Sequence, residues 1–181
     1  NLYGTSLIAL DVKTGERAWH YQIVHHDIWN FDLPTAPILL DVNTEQGPTK
    51  IVAQPTKQGL VYTFNRETGE PIWPIEEVPF PASIVPGEQL AATQPIPTKP
   101  APFDMQGLSL DTLVDFTPEI RAQAVAAVAD YQLGPVFNPP LQRDNPLGKI
   151  SSMMCPNGAV NITHPSVADP VTGILYVTSR S

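Results

Sequence analysis

The sequence predicts an all-β chain, part of a β-propeller of four-stranded blades, broken by a proline-rich insertion that carries one α-helix. Three observations carry this. Proline makes up 21 of 181 residues, which excludes a helical bundle and favours strands joined by many turns. A motif then recurs. Ala-Leu-Asp-Val-Lys-Thr-Gly-Glu-Arg-Ala-Trp at 9–19 lines up with Thr-Phe-Asn-Arg-Glu-Thr-Gly-Glu-Pro-Ile-Trp at 63–73, with Asp or Asn, Thr, Gly, Glu and Trp matching at a constant offset of 54. Finally, each copy has an alternating strand, an Asx-x-x-Thr-Gly turn and a returning strand that delivers a tryptophan. A recurring aromatic on a hairpin of this period suits blades that pack face to face.

The elements follow in chain order. Residues 7–10 and 60–64 alternate as strands, and in the turns the Asx side chain can bond backbone while Gly supplies positive φ. Residues 36–41 and 50–53 read as two more strands around a turn at 44–48, which makes one four-stranded blade per repeat. Asp169-Pro170-Val171-Thr172-Gly173 repeats the turn a third time, with Tyr176 in place of the tryptophan. Residues 74–102 hold eight prolines, none able to donate to a ladder, and read as a long ordered excursion or a lid. Thr117-Pro118 starts a helix of about four turns, with Ile120, Ala124, Val125, Val128 and Tyr131 at helical spacing and Gly134-Pro135 as the stop. Three segments are expected: blades at 1–73, the insertion at 74–150 and a further blade at 151–181.

Composition narrows the function. Lys plus Arg is 10 against 18 Asp plus Glu, a net charge of −8, so nucleic acid and anionic membrane surfaces are excluded as partners. At 42% hydrophobic and 15% charged, the chain has enough apolar side chain for a core. The single Cys155 excludes an internal disulfide framework and a Cys-rich zinc site. No apolar run approaches the roughly 18 residues of a membrane helix and no signal peptide opens the chain. Strand-like segments at both ends lead us to expect a piece of a longer polypeptide. No Gly-rich phosphate loop, nucleophile elbow or zinc helix motif occurs, which disfavours nucleotide cofactors and serine hydrolysis.

The segment His25-His26-Asp27-Ile28-Trp29-Asn30-Phe31-Asp32 concentrates chemistry. Imidazole supplies a base or metal ligand, Asp and Asn offer hard oxygens to a cation such as Ca²⁺, and aromatics wall a planar ligand. A strand crossover whose His and Asp cap backbone groups would use the same residues. Lys57, in Pro55-Thr56-Lys57-Gln58-Gly59, is a second candidate, with a solvated turn lysine as its plainer reading. The third is 151–161, small and polar enough for a ligand to approach its backbone. There Cys155 reads as a buried inert thiol, and Asn161-Ile162-Thr163 fits a glycosylation sequon.

These residues resemble the quinoprotein dehydrogenases that use pyrroloquinoline quinone (PQQ). Ala-x-Asp-x-x-Thr-Gly-x-x-x-Trp at 9–19 is that family's tryptophan-docking motif, repeated in degraded form at 63–73. The 25–32 run followed by Pro34 is similar to a segment of the membrane-type glucose dehydrogenase branch. Pro-Thr-Lys-Gln-Gly at 55–59 is similar to the segment with that branch's cofactor-contacting lysine. Thr93-Gln94-Pro95-Ile96-Pro97 and Phe137-Asn138-Pro139-Pro140 also look like this branch.

The resemblance implies an eight-bladed ring of which this chain supplies a part, the remainder of the propeller being its first partner. It implies a periplasmic dehydrogenase that oxidises a sugar or polyol, with membrane anchoring left open. Hydride passes to metal-bound PQQ, an aspartate takes the hydroxyl proton, and electrons leave to a quinone or a cytochrome. Lys57 takes the cofactor-contacting role. The position of the catalytic aspartate is Asn30, whose carboxamide cannot accept the proton, so either Asp32 takes over or turnover is impaired. Asp32 also matches a metal-binding carboxylate of the lanthanide-using relatives, which makes Asp32 and Asn30 the metal candidates, with Ca²⁺ first and a lanthanide second. His26 enters as a catalytic candidate, and Trp29 and Asn161 as cofactor-binding ones. The rival reading is a propeller that has lost catalysis and serves as a protein-binding scaffold; a carbohydrate-binding propeller without quinone has no positive feature behind it.

Overall fold

Three Asx-x-x-Thr-Gly turns close with one geometry, and the sheets grow outward from them. The computed structural model describes residues 2–44, 47–151 and 166–179. In the turns, Oδ1 of Asp11, Asn65 and Asp169 accepts backbone N–H groups two residues on at 2.8–2.9 Å. The N–H of Gly15, Gly69 and Gly173 returns to the carbonyl of the same Asx residue. Those glycines sit at φ 73°, 79° and 71°, a region that costs residues with a Cβ roughly 1–2 kcal/mol. The degenerate third copy is therefore the same hairpin as the other two.

Strands β1 (Ser6–Leu10) and β2 (Arg17–Gln22) flank the first turn. β3 (Ile38–Thr44), β4 (Gly47–Pro55) and β5 (Val61–Asn65) form an antiparallel sheet in that order. The expected fourth strand of this blade is reduced to a bridge between Phe64 and Pro71, continued by Ile72 N–H donating to Thr63 O at 2.9 Å. Pro71 cannot donate, which limits the ladder. β4 runs further toward its turn than expected and takes in Pro48, which pairs with β3 alone because β5 joins β4 only from Ile51 onward. A proline is tolerated where one side of the strand is open.

The tryptophan docks across motifs. Trp19 Nε1 donates to Arg66 O at 3.1 Å, and its ring lies on Gly69, where a Cβ would come within 2.7 Å of ring carbons. Phe64 packs beneath, 5.9 Å from Trp19 and 4.8 Å from Tyr21 between ring centroids. Behind it lies a core that includes Ile23, Val24, Leu60 and Tyr62.

The proline-rich stretch corrects one expectation, for it contains a hairpin of β6 (Ile75–Pro79) and β7 (Thr93–Pro97) with Pro79, Pro95 and Pro97 inside its register. A two-stranded ribbon has an open edge on each strand, so proline nitrogens can face away from the ladder. Tyr62 Oη donates to Pro95 O at 2.7 Å, and burial pushes that hydroxyl far above its ordinary value. β8 (Gly107–Leu108) follows, then helix α1 (Pro118–Ala127), capped by Thr117 Oγ1 accepting from Ile120 N–H at 3.2 Å. The helix ends earlier than its apolar spacing predicts. Tyr131 belongs to β9 (Tyr131–Gln132), and β10 (Gly134–Pro135) pairs with β8. β11 (Ile150–Ser151) pairs in parallel with β9, and that tertiary pairing outcompetes a last helical turn that buries nothing. β12 (Val167–Ala168) and β13 (Leu175–Tyr176) flank the third turn.

Gly69→Ala tests the docking. It combines a left-handed backbone with a collision against Trp19, and should lower unfolding stability by at least about 1 kcal/mol. Gly15→Ala should cost only the backbone part, since nothing lies within 4 Å of a Cβ there. Equal losses in urea titrations of the two variants would reject a packing role for Gly69.

Candidate active site

Between Val24 and Thr35 the chain leaves one sheet for the next without regular structure, so its backbone groups need side-chain partners. Asp27 supplies them. Oδ1 accepts Trp29 N–H at 2.8 Å; Oδ2 accepts Phe31 N–H at 2.9 Å and the Thr5 hydroxyl at 3.1 Å. The loop is thereby wound around one carboxylate, with His26 and Asn30 at φ 48° and 61°. Left-handed Asn is tolerated, and such outliers persist where the surroundings over-determine them.

Trp29 locks the loop from within. It is 4% exposed, stacks on Phe31 with centroids 6.0 Å apart and meets Phe137 edge-on at 5.3 Å. Its Nε1 donates to Asn138 O at 2.8 Å. Phe137, 0% exposed, is brought by the far arm of the insertion and is packed also by Phe31 and Phe80.

With Trp29 and Phe31 turned inward, Asn30 and Asp32 face outward. Lys57 meets them from the turn between β4 and β5, where Thr56 N–H and Oγ1 both donate to Leu60 O. Lys57 Nζ donates to Asp32 Oδ2 at 2.5 Å and to Asn30 O at 3.0 Å. Its side chain is 19% exposed against 53% for Asp32. The structure thus brings together Asn30, Asp32 and Lys57, which are 25–27 positions apart. His26 is exposed and makes no hydrogen bond to the three, and Trp29 serves the core. Asn161, Cys155 and most of the 151–161 segment lie outside the described residues.

His25 faces the insertion. Its backbone N–H and carbonyl are both taken by the carboxamide of buried Gln94, each at 2.8 Å. Its ring bridges Gln22 Oε1 at 2.9 Å and Glu77 Oε1 at 3.1 Å. Burial raises the Glu77 carboxyl, but hydrogen bonds from Thr93 and His25 outweigh it and hold it below its ordinary value. Tyr21 is pushed up to about 12 by burial and by the Glu77 charge. Asn138 and Gln94 went unseen as site residues because their partners lie 109 and 69 positions away, a separation that no local pattern encodes.

The family model "PQQ: Glucose/ethanol/alcohol dehydrogenase, beta-propeller domain" matches residues 1–181. The chain belongs to this family. Among curated relatives, a probable quinate dehydrogenase (quinone) of Xanthomonas campestris pv. juglandis is 45% identical over 52% of the chain and 12% of its own length. The quinoprotein glucose dehydrogenase of Gluconobacter oxydans is 39% identical over 52% of the chain and 12% of its own length. The matched part of this PQQ-family chain is thus about an eighth of these relatives. A europium-containing methanol dehydrogenase overlays 97% of the chain and 23% of itself at 18% identity and a TM-score of 0.49.

The propeller expected from the docking motifs is this family's fold. PQQ is an anionic ortho-quinone, and the donor set suits it: an ammonium has three donors, of which two are spent on described residues, so the third can serve a ligand oxygen. Metal is different. Among the described residues no group of three or more His, Cys, Asp or Glu can hold an ion, and the Asp32 carboxylate is engaged by Lys57. Asp32 and Asn30 do not form a Ca²⁺ or lanthanide site by themselves.

Two predictions test this geometry. Asp27→Ala leaves two half-buried backbone N–H groups without their acceptor and should cost about 1–3 kcal/mol, with a shift in tryptophan fluorescence as Trp29 loosens; an unchanged spectrum and stability would reject the loop-organising role. Because the folded-state pKa of Glu77 is depressed, its contribution is present above its ordinary value of 4.5 and fades as pH falls below it. Glu77→Gln should flatten that part of the acid limb in urea titrations, and an identical limb would count against the contact.

Proposed function

We propose that the chain is a sector of a PQQ-dependent dehydrogenase that oxidises an alcohol group of a sugar or polyol. The observation that carries this reading is the convergence of Lys57 Nζ on Asp32 Oδ2 at 2.5 Å and on Asn30 O at 3.0 Å. When bound, the quinone supplies the hydride acceptor. With the quinone bound, Lys57 would offer it the remaining N–H and stabilise negative charge that develops there. Asp32 takes the hydroxyl proton on its carboxylate, the role that the Asn30 carboxamide cannot fill. Asn30 instead contributes its main-chain carbonyl and a side-chain amide at the rim, with exposed His26 as a further proton-transfer group. Aromatic packing of Trp29 keeps the loop rigid under these groups, and Asn161, outside the described residues, is kept as a proposed cofactor-binding residue.

Substrates named for the relatives are quinate and glucose, both polyhydroxylated, which supports the substrate class. A quinone is named as acceptor for one of them, and a quinone or a cytochrome is proposed here, in the periplasm. Among the described residues no helix is long and apolar enough to cross a membrane. Asn30 favours a second reading, a propeller of this family that has lost catalysis and binds proteins.

Dye-coupled oxidation of aldoses and polyols, by the polypeptide carrying this sector and loaded with PQQ, separates the two. Activity is expected without substitution, with a fall of roughly 100-fold or more in Lys57→Ala and Asp32→Asn at little loss of stability. Activity appearing only in Asn30→Asp would mean an intact but natively disabled site, and the scaffold reading would then lead.

A further inference from the structure

The insertion touches the lysine turn as well as the aromatic loop. Phe103 N–H donates to Gly59 O at 2.9 Å. The Gln106 carboxamide donates to Gln58 O at 2.6 Å, and also lies 3.2 Å and 3.3 Å from the carbonyls of Asp104 and Met105. Approach this close depends on glycine: at Gly59, φ 76°, a Cβ would come within 2.9 Å of Asp104 Cβ and 3.1 Å of Gln106 Nε2. Asp104 is itself tied down, by Met105 N–H at 2.7 Å and by the Ser179 hydroxyl. Lys57 precedes the clamped carbonyl by one residue. The peptide plane that Gln106 holds, between Gln58 and Gly59, is therefore one peptide removed from the Cα from which the Lys57 side chain departs.

We propose that Gln106 is a positioning residue for Lys57. Its carboxamide welds the 56–59 turn to the insertion and so keeps the ammonium within reach of Asp32 and Asn30. A donor is essential at that place, because the acceptor is a main-chain carbonyl with little access to water and the local turn bonds use Thr56 and Leu60, not Gln58. A side chain that packs equally well and cannot donate would leave the carbonyl unpaired and free the turn. For catalysis the inference rests on the reading of Lys57 given above; for the geometry it does not.

Competitive acetylation of the cofactor-free protein separates these two levels, because it reads Lys57 directly against Lys13, Lys50 and Lys149 as internal references. Gln106→Glu keeps the shape and removes the donor, and Gln106→Ala removes both. We expect Lys57 labelling to rise about fivefold in both variants, the ratio that one net hydrogen bond sets, with the reference lysines unchanged. Unchanged Lys57 labelling in Gln106→Glu would overturn the proposal, whatever the activity of the loaded enzyme. Should a variant unfold and raise every lysine together, hydrogen exchange in the unsubstituted protein decides. Phe103 N–H should then exchange as slowly as the β4–β5 ladder, and exchange at the rate of an open loop would overturn the coupling. Raised Lys57 reactivity without loss of turnover would uphold the positioning and refute the catalytic role of Lys57.

Discussion

A carboxylate with three donors around it, Asp27, is the point from which the site is built. It collects the backbone of Trp29 and Phe31 and the hydroxyl of Thr5. The crossover loop and the lead into β1 are thereby joined at a single side chain. Winding the loop this tightly forces alternate residues apart. Trp29 and Phe31 turn into the core, while Asn30 and Asp32 are left outside, where Lys57 meets them. An ordinary strand would alternate the same way, but would not fix the direction of the Asn30 carbonyl that accepts from Lys57.

Around that centre the insertion acts as a frame. It takes hold at three places: Gln94 on the His25 backbone, Asn138 on the Trp29 indole, and Gln106 with Phe103 on the lysine turn. Gln94 pairs main-chain groups of the irregular crossover, Asn138 O takes the indole N–H, and Gln106 and Phe103 pair carbonyls of the lysine turn, so the polar frame and the apolar cluster of Trp29, Phe31, Phe80 and Phe137 reinforce one another. Helix α1, the most regular element of the insertion, buries none of its residues. Irregular proline-rich segments that a pattern reading passes over are the ones that touch the site.

The substitution of a carboxamide for the expected carboxylate at Asn30 gains meaning from its surroundings. Asn30 keeps its main-chain role toward Lys57 and its left-handed conformation, both of which Asn supports well. Asp32 carries the negative charge that balances the ammonium. A single carboxylate and a single ammonium at 2.5 Å form an ion pair at the surface of the loop.

The repeat, its turn geometry and the docking tryptophan were legible in the residues, because Asx side chains, glycine φ and hairpin strands are governed by neighbours a few positions away. Lys57 and the 25–32 segment were legible as chemistry for the same reason, since their residue types stand out locally. Other features were decided by tertiary structure alone: the inward role of Trp29, the proline-bearing hairpin β6–β7, the early end of α1 at β9, and the three side-chain clamps on the site. Each depends on a partner between 14 and 109 positions away, and a contact at that distance is selected by packing and by the need to pair buried main-chain groups, which no local pattern records.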